Sequence, residues 1–205
     1  MAAIHRVRCS RVAHGLLLFL ALNLGVARAR SGSEWFPFVR GDWTVEANGI
    51  YGIGENAFGG KLRHDFALAN FQVGYFLTDR VAQDRFYSGA LELTGQVWGG
   101  VQVDPDDSCL AGIMPGIRYH FFTGMRLVPY VGLNAGILLT DMGEPDLGSD
   151  YQFNQQYALG VHWFFHEHWA LNTEYRAMHI SNAGIERPNQ GVNDHLIVLG
   201  LLHKF

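Results

Sequence analysis

After its first 29 residues the chain has no apolar run long enough to be a membrane helix, almost no helical spacing, and one cysteine. Each shortage excludes something. A spanning helix needs roughly 20 apolar residues, so this part of the chain does not cross a bilayer by helices. Helical spacing places apolar residues at i, i+3 and i+4, and its scarcity argues against a bundle. Of the two cysteines, Cys9 lies in the N-terminal stretch and Cys109 stands alone after it, so no disulfide is expected within a processed chain. Charged residues are also scarce, at 17% of the chain against 48% apolar.

The N-terminal stretch carries Arg6, Arg8 and Arg11, then the apolar run from Leu16 to Val26, then Ala27-Arg28-Ala29. A basic region, a short apolar region and small residues in that order read as a secretory leader, residues 1–29, cleaved after Ala29. Those residues hold four arginines and no acid, which leaves 11 basic and 19 acidic residues, a net charge of −8. A nucleic-acid partner is not expected of so acidic a chain. Residues 30–205 suit one domain, and neither a tandem repeat nor a low-complexity segment interrupts them.

What is abundant is glycine, at 25 residues, and aromatics, at 27. Alternation of apolar and polar residues recurs to the C-terminus and predicts eight strands: Trp43 to Ile53, Phe66 to Leu77, Phe86 to Gly99, Gly112 to Phe121, Leu127 to Thr140, Gln152 to Phe165, Trp169 to Ser181 and Asn193 to Phe205. Each suffices for a transmembrane strand, which takes roughly 9 to 11 tilted residues. Odd-numbered positions are the apolar ones. In the sixth segment Phe153, Tyr157, Leu159, Val161 and Trp163 oppose Gln152, Asn154, Gln156, Gly160 and His162.

A soluble barrel would turn the apolar face inward and coat its outside with glycine and small polar groups; a membrane barrel exchanges the two. The expected connections favour the membrane version. Long outer loops are expected at Gly54 to His64, Gly100 to Ala111, Asp141 to Tyr151 and Asn182 to Val192, against short periplasmic turns at Phe122 to Arg126 and Phe165 to His168. The terminal Phe205 fits the aromatic ending of outer-membrane proteins. The expected fold class is therefore all-β, an eight-stranded antiparallel transmembrane β-barrel. Trp43, Tyr75, Trp163 and Trp169 suit interfacial girdles, and Glu92, Arg118, His120, Glu174 and Arg176 suit a polar network inside the barrel.

Chemistry concentrates in His179-Ile180-Ser181-Asn182-Ala183-Gly184 and Pro188-Asn189-Gln190-Gly191-Val192-Asn193. His179 and Ser181 are two apart, so on a strand they share a face. A histidine beside a serine can act as general base for a hydroxyl nucleophile. Both continue the odd-numbered, lipid-facing row, which suits the acyl chains of an outer-leaflet lipid.

These segments resemble the signature of the lipid A 3-O-deacylases, eight-stranded outer-membrane esterases. The resemblance implies His179 and Ser181 as catalytic pair, hydrolysis of the ester at position 3 of lipid A with release of a 3-hydroxy fatty acid, and no cofactor. It implies lipid A of lipopolysaccharide and membrane lipid as partners; a homodimer is compatible with it, and the sequence sets no oligomeric state. Family members complete a triad with Glu after P-N-x-G-x, where this chain has Asn193. By parity Asn193 shares the face of His179, whereas Asp194 points into the barrel, so Asn193 is the expected orienter, with Asp194 or no third member at all as the alternatives. The backbone of Asn182, Ala183 and Gly184 and the amide of Asn189 are candidate oxyanion or substrate-positioning donors. Against that reading, Asn-Ala-Gly and Pro-Asn-Gln-Gly are turn formers, most of all Gly184, Pro188 and Gly191.

Other groupings read as structural. His162, His166, Glu167 and His168 lack a fixed fourth ligand and form no expected metal site. Asp104, Asp106 and Asp107 read as a solvated loop. Gly52 and Gly54 lack the lysine of a phosphate loop. Two rival functions stay open: a structural or adhesion-type barrel without catalysis, and a barrel esterase acting on phospholipid.

Overall fold

Eight strands follow from the alternation: β1 (Trp43–Glu55), β2 (Asp65–Phe76), β3 (Gly89–Asp104), β4 (Cys109–Phe121), β5 (Leu127–Thr140), β6 (Tyr151–Phe164), β7 (Trp169–Ser181) and β8 (Val192–Lys204). This computed structural model describes residues 35–56 and 60–205. The expected leader, 1–29, and the first residues of the 30–205 segment lie outside them. Each strand pairs antiparallel with its neighbours, and β1 closes on β8 from Thr44↔Lys204 to Glu55↔Asn193. Closure leaves no unpaired edge, the condition for a sheet to stand in hydrocarbon.

The parity holds throughout. Along β7, even residues from Ala170 to Ile180 are buried, while Leu171, Thr173 and Tyr175 are exposed. Large apolar side chains on the outside are exposed as no soluble core would allow, with Tyr157 at 64% and Leu159 and Leu199 each at 61%. The outer wall is thus the lipid-facing surface, and the fold is an outer-membrane β-barrel.

Two connections depart from expectation. β3 begins at Gly89 rather than Phe86, because residues 82–88 turn: Ala82 has φ 50°, and the N–H groups of Arg85 and Ser88 donate to Ala82 and Arg85. Phe86 is left almost fully exposed on a twelve-residue connection, 77–88, at the mouth where β1 begins and β8 ends. Conversely, β3 and β4 run on past the expected strand ends, which shortens the expected Gly100 to Ala111 loop to residues 105–108. Cys109 is therefore a strand residue, and the other cysteine, Cys9, lies outside the described residues.

The lumen is filled in three tiers rather than by small and polar groups alone. At the mouth formed by residues 60–64 and the connections 105–108, 141–150 and 182–191, here the distal mouth, an apolar cluster includes Phe66, Trp98, Met114, Leu147, Ile180 and Leu196. Mid-barrel, Arg118 bonds Glu46 and Glu174, with Nη2–Oε2 of Glu174 at 2.9 Å; Arg176 bonds Glu174 and reaches Gln156 at 2.9 Å; and His120 meets Glu92 at 2.9 Å. These are the inward charges expected from the sequence, and pairing is what makes them tolerable in a buried belt. At the proximal mouth the lead-in before β1 folds back as a plug. Phe38 is 1% exposed, stacks on Phe76 at 4.2 Å and meets Phe164 edge-on at 5.5 Å. Eight strands enclose a space just wide enough for side chains, so the barrel is solid, and chemistry belongs at its surface.

Candidate active site

β7 ends at Ser181, and the 182–191 connection returns the chain to β8. The β7–β8 register sets His179 directly opposite Asn193. Opposed residues on one face have Cβ atoms about 5 Å apart, close enough for their side chains to bond. They do: His179 Nδ1 lies 2.7 Å from Asn193 Oδ1. An amide oxygen only accepts, so Nδ1 is the donor, and in the neutral imidazole Nε2 is the nitrogen with the lone pair. Asp194, the alternative orienter, faces the lumen at 3% exposure, opposite Met178.

Ser181 stands on the same outward face as His179, one step nearer the distal mouth, and pairs with Phe153 of β6. Among the described residues the structure brings His179 to Asn193 but gives no hydrogen bond between His179 and Ser181. Alternate residues on a strand are roughly 7 Å apart along the chain, and catalytic bonds of this kind often close only around substrate.

The expected donors divide. Asn182 is fully buried and organises the turn: its N–H donates to Asn189 Oδ1 (2.9 Å), its Nδ2 to the Glu186 carbonyl (2.8 Å), and its Oδ1 accepts from the Gly184 N–H (2.9 Å). The N–H groups of Asn182 and Gly184 are thereby engaged. Ala183, with φ 56°, sits exposed at the tip between them, and Asn189 keeps its amide NH₂ for another partner.

Gly191 does more than turn the chain. Its φ is +81°, and a Cβ placed there would come 2.8 Å from His179 Cε1. The backbone of the connection therefore lies against the imidazole and fixes one side of it. The turn formers were legible as such in the sequence; this contact was not, because it depends on how the connection folds back.

Two further arrangements had no sequence signal. On the outer wall just below Asn193, Tyr175 Oη bonds His195 Nδ1, and His195 Nε2 meets Glu55 Oε2 at 3.0 Å. Above the lumen, Asp146 of the 141–150 connection meets His64 at 3.0 Å. Among the described residues no group of three or more His, Cys, Asp or Glu is placed to hold a metal ion. His166 and His168 face each other on the 165–168 turn, ring centroids 5.9 Å apart. Asp106 and Asp107 sit exposed between β3 and β4.

Comparison with known proteins bears on most of the chain. The family model described as lipid A 3-O-deacylase (PagL) matches residues 24–201. Curated proteins give no match. Among solved structures, the outer membrane enzyme PagL is similar at 16% identity over 76% of this chain and 97% of its own, with a TM-score of 0.58. Neisserial surface protein A is as similar, at 16% identity over 81% of this chain and all of its own, again with a TM-score of 0.58. At such identities the two structures speak for the fold alone.

Proposed function

The chain belongs to the lipid A 3-O-deacylase family, and on that premise we propose that it is an outer-membrane esterase that removes the 3-O-linked 3-hydroxyacyl chain of lipid A, with Ser181 as nucleophile and His179 as general base. Residues 1–29 are the cleaved leader and 30–205 the enzyme, with the distal mouth at the outer leaflet. The observation that carries the reading is the hydrogen bond from His179 Nδ1 to Asn193, which frees Nε2 on a face turned toward lipid beside Ser181. A water-soluble substrate has no access advantage there; an outer-leaflet lipid already lies against that wall.

In the mechanism, His179 Nε2 takes the Ser181 proton as Oγ attacks the ester carbonyl. The oxyanion that forms is met by the Ala183 N–H and the Asn189 amide, while Asn182 holds the turn that presents them. The intermediate collapses, His179 gives the proton to the departing sugar oxygen, and the acyl chain stays on Ser181. Water then attacks with His179 again as base, releasing the 3-hydroxy fatty acid and restoring the serine. Asn193 holds the tautomer but brings no negative charge to the imidazolium, unlike the family's Glu.

The test is mass spectrometry of lipid A and phospholipids from a Gram-negative host with 3-O-acylated lipid A, expressing the wild type or Ser181→Ala. Lipid A lighter by one 3-hydroxyacyl group, for the wild type alone, is the expected result. Unchanged lipid A with deacylated phospholipid would move the activity to another ester, and no change in either would leave a structural barrel.

A further inference from the structure

We propose that Asp146 and His64 form a clasp that positions the 182–191 connection against His179, which makes both of them positioning residues for the deacylation; the inference rests on the esterase reading above. Asp146 is a loop carboxylate with no exposed surface, and His64 is 7% exposed. A charge is buried in a loop only where it is fully bonded. Asp146 Oδ1 accepts from the Lys61 N–H at 2.7 Å, Oδ2 accepts from the Leu62 N–H at 2.9 Å, and His64 Nε2 lies 3.0 Å from Oδ2. The other imidazole nitrogen of His64 is 3.1 Å from Gln102 Oε1 on β3. One side chain thus ties the 141–150 connection to Lys61, Leu62 and His64 ahead of β2 and, through His64, to the wall.

The backbone of the same residue holds the site. The Gln190 N–H donates to the Asp146 carbonyl at 2.9 Å, and Leu147 bridges Asn189. Gly148 lies so close to Arg187 that a Cβ there would come within 2.4 Å of its carbonyl. Asn189 in turn accepts the Asn182 N–H, and Gly191 abuts the His179 ring. Leu147 is buried in the apolar cluster that also holds Ile180 and Val192, the inward neighbours of His179, Ser181 and Asn193. A shift of the 141–150 connection therefore reaches both the donor residue and the base within two residues.

Neither Asp146 nor His64 belongs to a strand, so the barrel's ladders do not depend on them. Their loss should separate catalysis from folding. The experiment uses the full mature chain refolded into vesicles containing lipopolysaccharide, with Asp146→Ala, His64→Ala and Asp146→Asn. Expected are a barrel that still migrates as folded on unheated gels, a kcat on lipid A lower by about 10- to 100-fold for Asp146→Ala with KM within about twofold, and partial recovery for Asp146→Asn, whose carbonyl still accepts one N–H. The Asn182 amide proton should exchange at least about tenfold faster in Asp146→Ala, a readout that needs no catalysis. If Asp146 acts through Asn189, the double variant with Asn189→Ala is no slower than the slower single variant, whereas independent roles multiply. Wild-type kcat with slow Asn182 exchange in Asp146→Ala, or multiplying losses, would overturn the clasp. An inactive wild type, or an active Ser181→Ala, would defeat the esterase reading instead, and the exchange rate would still decide the clasp.

Discussion

Replacing Gly191 by alanine tests the site at its tightest contact. The methyl group would sit 2.8 Å from His179 Cε1, where carbon atoms prefer about 3.5 to 4.0 Å, so the imidazole has to give way by roughly 1 Å. From its present 2.7 Å, the bond to Asn193 would then pass the roughly 3.5 Å at which it stops being one. A misplacement of about 1 Å at a catalytic group lowers the rate about 100-fold, or roughly 2.7 kcal/mol in the barrier. The left-handed backbone adds about 1 to 2 kcal/mol of strain, which lowers stability without unfolding the barrel. Gly184→Ala is the matched control: its φ of +80° carries the same strain, and nothing lies within 4 Å of the added carbon. The assay is kcat and KM on purified lipid A in mixed micelles, beside thermal unfolding of each variant. Similar losses of stability with a large loss of kcat for Gly191→Ala alone are expected. Near-wild-type turnover in Gly191→Ala, or an equal loss in Gly184→Ala, would refute the reasoning.

Asn193→Glu should keep or raise kcat, since a carboxylate at that register position both holds the Nδ1 proton and stabilises the imidazolium; a loss as complete as that of Ser181→Ala would contradict it. Arg118→Ala leaves Glu46 and Glu174 without that partner in a buried belt and should destabilise the barrel by about 3 to 5 kcal/mol in urea unfolding from vesicles. Leu159→Arg, on the outer wall, should cost about 2 to 4 kcal/mol in the same measurement, and no cost would mean that this face does not meet hydrocarbon. Burial acts most strongly on the Asp146 carboxyl and pushes it up, but the bond from His64 and those from Lys61 and Leu62 together outweigh it and hold the group below its ordinary 3.8. A depressed carboxylate adds stability that is complete above that ordinary value and fades as pH falls toward the lower folded value. Asn182 amide protection should therefore weaken only below about pH 4, and Asp146→Asn should abolish that dependence.

The fold was legible wherever one face of a strand was apolar and the other was not. Phe153 to Trp163 against Gln152 to His162 set the parity, and parity alone put His179, Ser181 and Asn193 outside and Asp194 within. Legibility failed where alternation was ambiguous. The aromatic pair Phe86-Tyr87 resembles a strand start but caps a turn, and the expected loop between β3 and β4 is mostly strand. The apolar tier beneath the distal mouth went unseen because Ile180 and Leu196 are inward residues as oily as their outward neighbours. The Asp146 clasp joins residues 82 to 85 positions apart and follows no periodicity, so only the folded connections reveal it. The proximal plug was hidden for the same reason, as Phe38 precedes the first strand and meets Phe76 and Phe164 only in the closed barrel.

The most direct measurement is covalent trapping of the nucleophile with a long-chain alkyl fluorophosphonate, read by peptide mass after proteolysis of the barrel labelled in lipid vesicles. A single adduct on Ser181, formed by the wild type and lost in His179→Ala while Asp194→Asn still labels, is the outcome that a lipid-facing Ser181–His179 pair requires. Labelling at another residue, or none at Ser181 in a fully folded barrel, would contradict it.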